Sequence, residues 1–159
     1  MYRAYQFAYK HGITTKPTIL EADMYGPLDR ISMAKMLSQY AINVLGKTPD
    51  TNIEVPNFPD VTPELNEEYW NAVTLAYQLG IMWINIDEFR PFDFVPRSEF
   101  GTALSRMLYW TSDGEYEKTD EYYTLHFEKL KAEWIMTVLD PNMKELRWYV
   151  MIMLMRAAE

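Results

Sequence analysis

Three arginines carry the strongest chemical signal in this chain of 159 residues. From Arg30, apolar residues recur at +3, +6, +7 and +10 as Met33, Met36, Leu37 and Tyr40. The same offsets give Phe100, Ala103, Leu104 and Met107 from Arg97, and Val150, Met153, Leu154 and Ala157 from Arg147. Spacing of three and four puts each set on one face of a helix that opens with its arginine. A cation in the first turn meets the positive end of the helix dipole, a penalty of about 0.3–1 kcal/mol, so three such placements call for a compensating partner. A guanidinium grips a carboxylate through a planar fork of donors, and the free amides of a helix start add more. Two readings follow. Each arginine receives an anionic ligand, or each braces a neighbouring segment through an acid such as Asp60.

Other chemistry is sparse. Without cysteine there is neither a disulfide nor a thiol nucleophile. His11 and His126 lack partners at metal-ligand spacing and are expected at the surface. The acids Asp113, Glu115, Glu117 and Asp120 lack the spacing of a calcium loop and read as a solvated turn. No phosphate loop or nucleophile motif occurs, so neither cofactor nor metal is expected. Trp70 offers a face for a sugar ring, but its spacing to Val73 and Ala76 also suits a core position. Asp60 suits a cap or brace as well as a ligand contact.

The net charge of −8 disfavours nucleic acid and anionic membranes, and no basic stripe offsets it. No apolar run reaches membrane-spanning length, and no signal segment opens the chain, so an exported protein would be represented here by a mature fragment or an excised domain. Hydrophobic residues at 48% and aromatics at 15% are enough for a packed core.

The elements that must position the arginines alternate between two types. Residues 2–11 read as a helix with Tyr5 and Ala8 inward and Gly12 as its stop. Asp29 caps the Arg30 helix, which runs to about Leu45. A proline-bearing connector, Lys47 to Asp60, crosses to the next unit. Thr62 and Pro63 start a helix that continues to Leu79. Ser112-Asp113-Gly114 is a turn. A further helix from about Asp120 carries Phe127 and Leu130 and ends near Trp134. The last helix has Asn142 and Glu145 at capping-box spacing and, apolar on nearly all sides, is expected to be the most buried. The first-type helices end in Ala8-Tyr-Lys-His-Gly-Ile13, Ala76-Tyr-Gln-Leu-Gly-Ile81 and Leu130-Lys-Ala-Glu-Trp-Ile135. Helix, loop, helix thus recurs over residues 1–46, 57–111 and 119–159, together one domain of residues 1–159.

The second unit holds Phe58-Pro-Asp60-Val61, Gly80-Ile81, Phe89-Arg-Pro91 and Arg97-Ser-Glu99. In this it resembles the bacterial S-layer homology (SLH) family, whose motif runs Phe-x-Asp-Val, a helix ending in Gly-Ile, a Phe-x-Pro loop, then Thr-Arg-Ala-Glu. The other two units match more loosely. The family threonine is replaced by Asp29, Pro96 and Leu146, and its glutamate appears as Ser32, Glu99 and Tyr149; the arginine alone stands in all three.

The resemblance implies an all-α fold of three helix-loop-helix repeats closed into a pseudo-threefold domain, with ligand grooves between units. It also implies a non-catalytic module at the cell surface that anchors its protein to anionic, pyruvylated cell-wall polysaccharide, with other surface-layer proteins as further partners. Arg30, Arg97 and Arg147 would contact the polymer, with Asp60 and Trp70 as additional candidates. The alternative is an architectural or protein-interaction domain whose arginines are internal braces; an enzyme ranks third.

The tryptophans are oddly placed. Trp134 occupies the position of Gly12 and Gly80, Trp83 and Trp148 fall where the motif carries glycine or a small residue, and Trp110 follows a helix end. A gene that uses UGA for glycine, translated with UGA as tryptophan, would leave this trace; aromatic packing is the alternative. If Trp134 replaces a glycine, its backbone should be strained at positive φ.

Overall fold

The arginine helices begin where the stripes place them. Asp29 caps the first, accepting the Ser32 amide at 2.9 Å. Thr62 caps a helix of the other type, accepting the Leu65 amide at 3.1 Å with proline at the first turn. The computed structural model describes residues 1–82, 86–109 and 121–159. Within them lie seven helices and no β-strand: α1 (Tyr2–Lys10), α2 (Arg30–Asn43), α3 (Pro63–Glu68), α4 (Ala72–Gln78), α5 (Arg97–Tyr109), α6 (Thr124–Ala132) and α7 (Arg147–Ala157). The protein is all-α. Trp83, Trp110, the turn at Ser112–Gly114 and the acids from Asp113 to Asp120 lie outside the described residues.

Helix pairing crosses between the sequence units. The principal seams are α4 on α2, α6 on α5, and α1 on α7, so the first helix of one unit covers the second helix of the unit before it. The stripes are what these seams bury: Met33, Met36, Leu37, Tyr40, Phe100, Ala103, Leu104, Met107, Val150, Met153 and Leu154 all lie in the core. Each of the larger aliphatic, methionine and phenylalanine side chains contributes about 1.5–3 kcal/mol when fully buried. Helix α2 also turns Ile31 and Ala34 to a smaller cluster built on Phe58, Tyr77 and Phe89.

Between the helices runs a ring of backbone hydrogen bonds. The Val95 amide donates to Leu28 O (2.9 Å), Leu28 to Glu145 O (2.9 Å), and Glu145 to Val95 O (3.0 Å), closing the circle. All three residues are fully buried, each two positions before a register arginine. The amides that open each arginine helix are satisfied cyclically too, in the opposite sense. Arg30 and Ile31 donate to Asp93 and Pro91, Arg97 and Ser98 to Met143 and Pro141, and Arg147 and Trp148 to Gly26 and Met24. Backbone carbonyls of the next loop thus do the work of an N-cap where Pro96 and Leu146 offer no side-chain cap.

Four expectations need correction. The helix from Thr62 does not reach Leu79 unbroken: it stops at Glu68, Trp70 and Asn71 take φ of 59° and 56°, and α4 starts afresh. Asn66 organises the break, accepting the Asn71 amide on its carbonyl and the Val73 amide on its side chain. Asn142 and Glu145 form no capping box, because Glu145 is drawn inward and Leu146 stands at the helix start. Helix α7 is less buried than α2 or α5: Met151 joins its stripe in the core, but Trp148, Tyr149, Ile152 and Met155 are only partly buried. His126 is fully buried, its Nδ1 2.8 Å from Ser105 Oγ across the α5–α6 seam.

Candidate functional site

Each register arginine lines its own groove, and the three grooves are built alike. In each, an arginine of one helix faces positions +2, +5 and +6 of the next arginine helix, counted from that helix's own arginine. Groove 1 sets Arg147 against Ser32, Lys35 and Met36 of α2, with the loop after α1 as its wall. Groove 2 sets Arg30 against Glu99, Thr102 and Ala103 of α5. Groove 3 sets Arg97 against Tyr149, Ile152 and Met153 of α7. Their volumes are about 460, 340 and 190 Å³.

The arginines inside them differ. Arg30 is buried; its Nε donates to Phe89 O at 2.8 Å and one terminal nitrogen to Glu99 Oε2 at 2.8 Å. Arg97 is buried in a bidentate pair with Glu145, Nε to Oε2 at 3.1 Å and a terminal nitrogen to Oε1 at 2.6 Å, while its other nitrogen reaches Val138 O at 2.9 Å. Burial pushes the Glu145 carboxyl up, and the hydrogen bond and charge of Arg97 pull it back. Neither guanidinium is offered to solvent, though the polymer contact implied for all three would require it. The cause is local: a carboxylate of the following unit stands within reach of each.

Arg147 is different. Its side chain keeps 26% of its exposure, and its contacts are Pro27 O at 3.1 Å and the exposed Asp23 carboxylate at 3.4 Å. Gly26 makes room for this pair, since a methyl there would overlap both the Asp23 carboxylate and the Arg147 guanidinium. Two lysines share the groove. Lys16 and Lys35 have no carboxylate within ion-pair distance among the described residues. Burial, then the charge of Lys16, pushes the Lys35 ammonium down. Of the acids there, Glu21 bonds Thr18 and Asp23 faces Arg147; Glu68 stands on the far wall.

The other two candidates lie apart from the groove floors. Asp60 accepts the Phe89 amide at 3.0 Å and the Arg90 amide at 2.7 Å, so both oxygens clamp the loop before α5. It meets no register arginine. Trp70 is 44% exposed, outside the core formed by Val73 and Ala76, with Lys35 Nζ 4.5 Å from its ring centroid. Sequence reasoning missed Lys16 and Lys35, although Lys35 stands five residues beyond Arg30 on the face that becomes a groove wall. Among the described residues no cluster of His, Asp and Glu suited to a metal is present, and no helix is long and apolar enough to cross a membrane. No protein-family model matches the chain, and no curated protein matches it.

Proposed function

We propose that the chain is a non-catalytic anchoring module: three helix-loop-helix units in a closed, pseudo-threefold, SLH-like domain that holds a surface protein to an anionic wall polysaccharide. The observation that carries this reading is the threefold recurrence of one groove, with an arginine at the same place in each. A carboxylate-bearing saccharide of such a polymer suits a groove of this kind, because its carboxylate meets a guanidinium fork while the ring lies along the groove. Cations confined to a groove also let a chain of charge −8 take an anionic ligand at short range. The test is co-sedimentation of the chain with purified wall polysaccharide, native and with its carboxylates reduced. Binding to the native polymer alone is expected; binding to neither form would overturn the proposal.

The internal pairs Arg30 with Glu99 and Arg97 with Glu145 favour a second reading, an architectural domain in which the arginines only brace. A folded chain without affinity for either polymer would support it.

A further inference from the structure

Two of the three grooves already hold a carboxylate where a ligand would place one. In groove 2 it is Glu99, 2.8 Å from Arg30 and 3.9 Å from Arg90. In groove 3 it is Glu145, bidentate on Arg97, with the Tyr149 ring 5.4 Å from the guanidinium carbon. Groove 1 has Ser32 at the position of Glu99 and Tyr149, and Leu28 at the position of Glu145. It is the largest of the three and the only one of them whose arginine keeps an outward face.

We infer that groove 1 alone takes the ligand, one carboxylate-bearing saccharide per chain, held by Arg147, Lys35 and Lys16. This deepens the anchoring proposal and rests on it. Three donors of different reach surround a cavity of about 460 Å³, room for a short saccharide. Asp23 is the internal competitor, but at 3.4 Å and 70% exposed it holds Arg147 far more loosely than Glu145 holds Arg97. Arg30 and Arg97 serve the fold.

Calorimetry with a short saccharide carrying one pyruvate ketal, and with its carboxylate-reduced form, tests this. A stoichiometry of one is expected for the ketal form. The Lys16→Ala/Lys35→Ala double variant should lose at least tenfold in affinity, and Arg147→Gln a similar factor, with melting temperatures unchanged. Asp23→Asn should bind more tightly. If the wild type binds two or three saccharides, or the double variant binds like wild type, the assignment to groove 1 is wrong while anchoring stands. If the wild type binds neither the saccharide nor the whole polymer, anchoring itself falls, and this inference with it.

A second observation stands independently. Four helix ends share one pair of hydrogen bonds, from residue i to i−3 and from i+1 to i−4. They are Gly12 to Tyr9 with Ile13 to Ala8, Trp70 to Glu67 with Asn71 to Asn66, Gly80 to Tyr77 with Ile81 to Ala76, and Trp134 to Lys131 with Ile135 to Leu130. This is the helix-ending motif that places its pivot in the left-handed region, normally as glycine. The pivots have φ of 69°, 59°, 71° and 60° in that order. Two are glycine, and two are the tryptophans, 44% and 80% exposed. Trp148 differs, having helical backbone in α7.

From this we infer that positions 70 and 134 are glycine in the protein as its own cells make it, from UGA codons read there as glycine. Mass spectrometry of peptides spanning 66–72 and 130–136 from those cells should read glycine, and tryptophan would overturn the inference. In the chain that carries tryptophan there, Trp134→Gly should raise the melting temperature by about 2–4 °C; a fall would show that the indole holds the turn.

Discussion

Tyr40 is wholly buried, and among the described residues its hydroxyl has no hydrogen-bond partner. An unpaired buried hydroxyl costs about 1–3 kcal/mol, so Tyr40→Phe should leave stability unchanged or raise it by about 1 kcal/mol, read by urea unfolding. Burial pushes the phenols of Tyr40 and Tyr77 up to about 12. The folded state keeps these protons where the unfolded chain, near 10, gives them up. Stability should therefore fall as pH rises from about 10 to 12, and Tyr40→Phe should soften the fall. Lys47, whose ammonium bonds Met107 O, acts in the opposite sense over a lower range. Burial pushes it down to about 8, so the unfolded chain alone holds that proton above pH 8, and stability should rise slightly toward pH 10. Melting temperatures between pH 7 and 12 would trace a shallow maximum near 10.

At the scale of elements, the most consequential placement is Glu145 in the backbone ring beside Leu28 and Val95. Removing one partner of a buried pair strands the other charge, at about 3–5 kcal/mol. Glu145→Ala or Arg97→Met alone should cost that much, while Glu145→Leu with Arg97→Met should recover most of it, measured as a double-mutant cycle. The α5–α6 seam depends on Gly101, where a Cβ would stand 2.6 Å from the Phe127 ring. Gly101→Ala should cost about 1–3 kcal/mol by overpacking. The three arginine helices were legible because their stripes repeat at fixed offsets. The partners of those arginines were not, because they come from segments distant in sequence: Glu145 reads locally as part of a cap, and nothing near Arg97 marks it as the counter-charge. The break at Trp70 was hidden for another reason. Val73 and Ala76 continue a helical pattern across it, and only Asn66 and Asn71, residues that tolerate turns and left-handed backbone, hint at a stop.

For the whole molecule, charge decides how a ligand arrives. A chain of −8 repels an anionic polymer at long range, while the groove cations act only at contact. On the anchoring proposal, the association rate with wall polysaccharide should therefore rise, not fall, as ionic strength goes from about 0.01 to 0.15 M, where the Debye length shrinks from about 30 to 8 Å; stopped-flow mixing would read this. The large-scale arrangement was legible only in outline. Repetition of the units predicts mutual burial, but which helix covers which depends on the backbone ring, and no side-chain pattern records that.

The seams between helices are not equivalent in how the chain crosses them. From α2 to α4 and from α5 to α6 the backbone runs on, whereas α1 meets α7 by packing alone, at opposite ends of the sequence. Tension drawn along any chain attached beyond those ends would act first on that junction. It is the clasp of the necklace: mechanical load would open it before either of the covalently spanned seams, and with it would go the wall of groove 1 that follows α1.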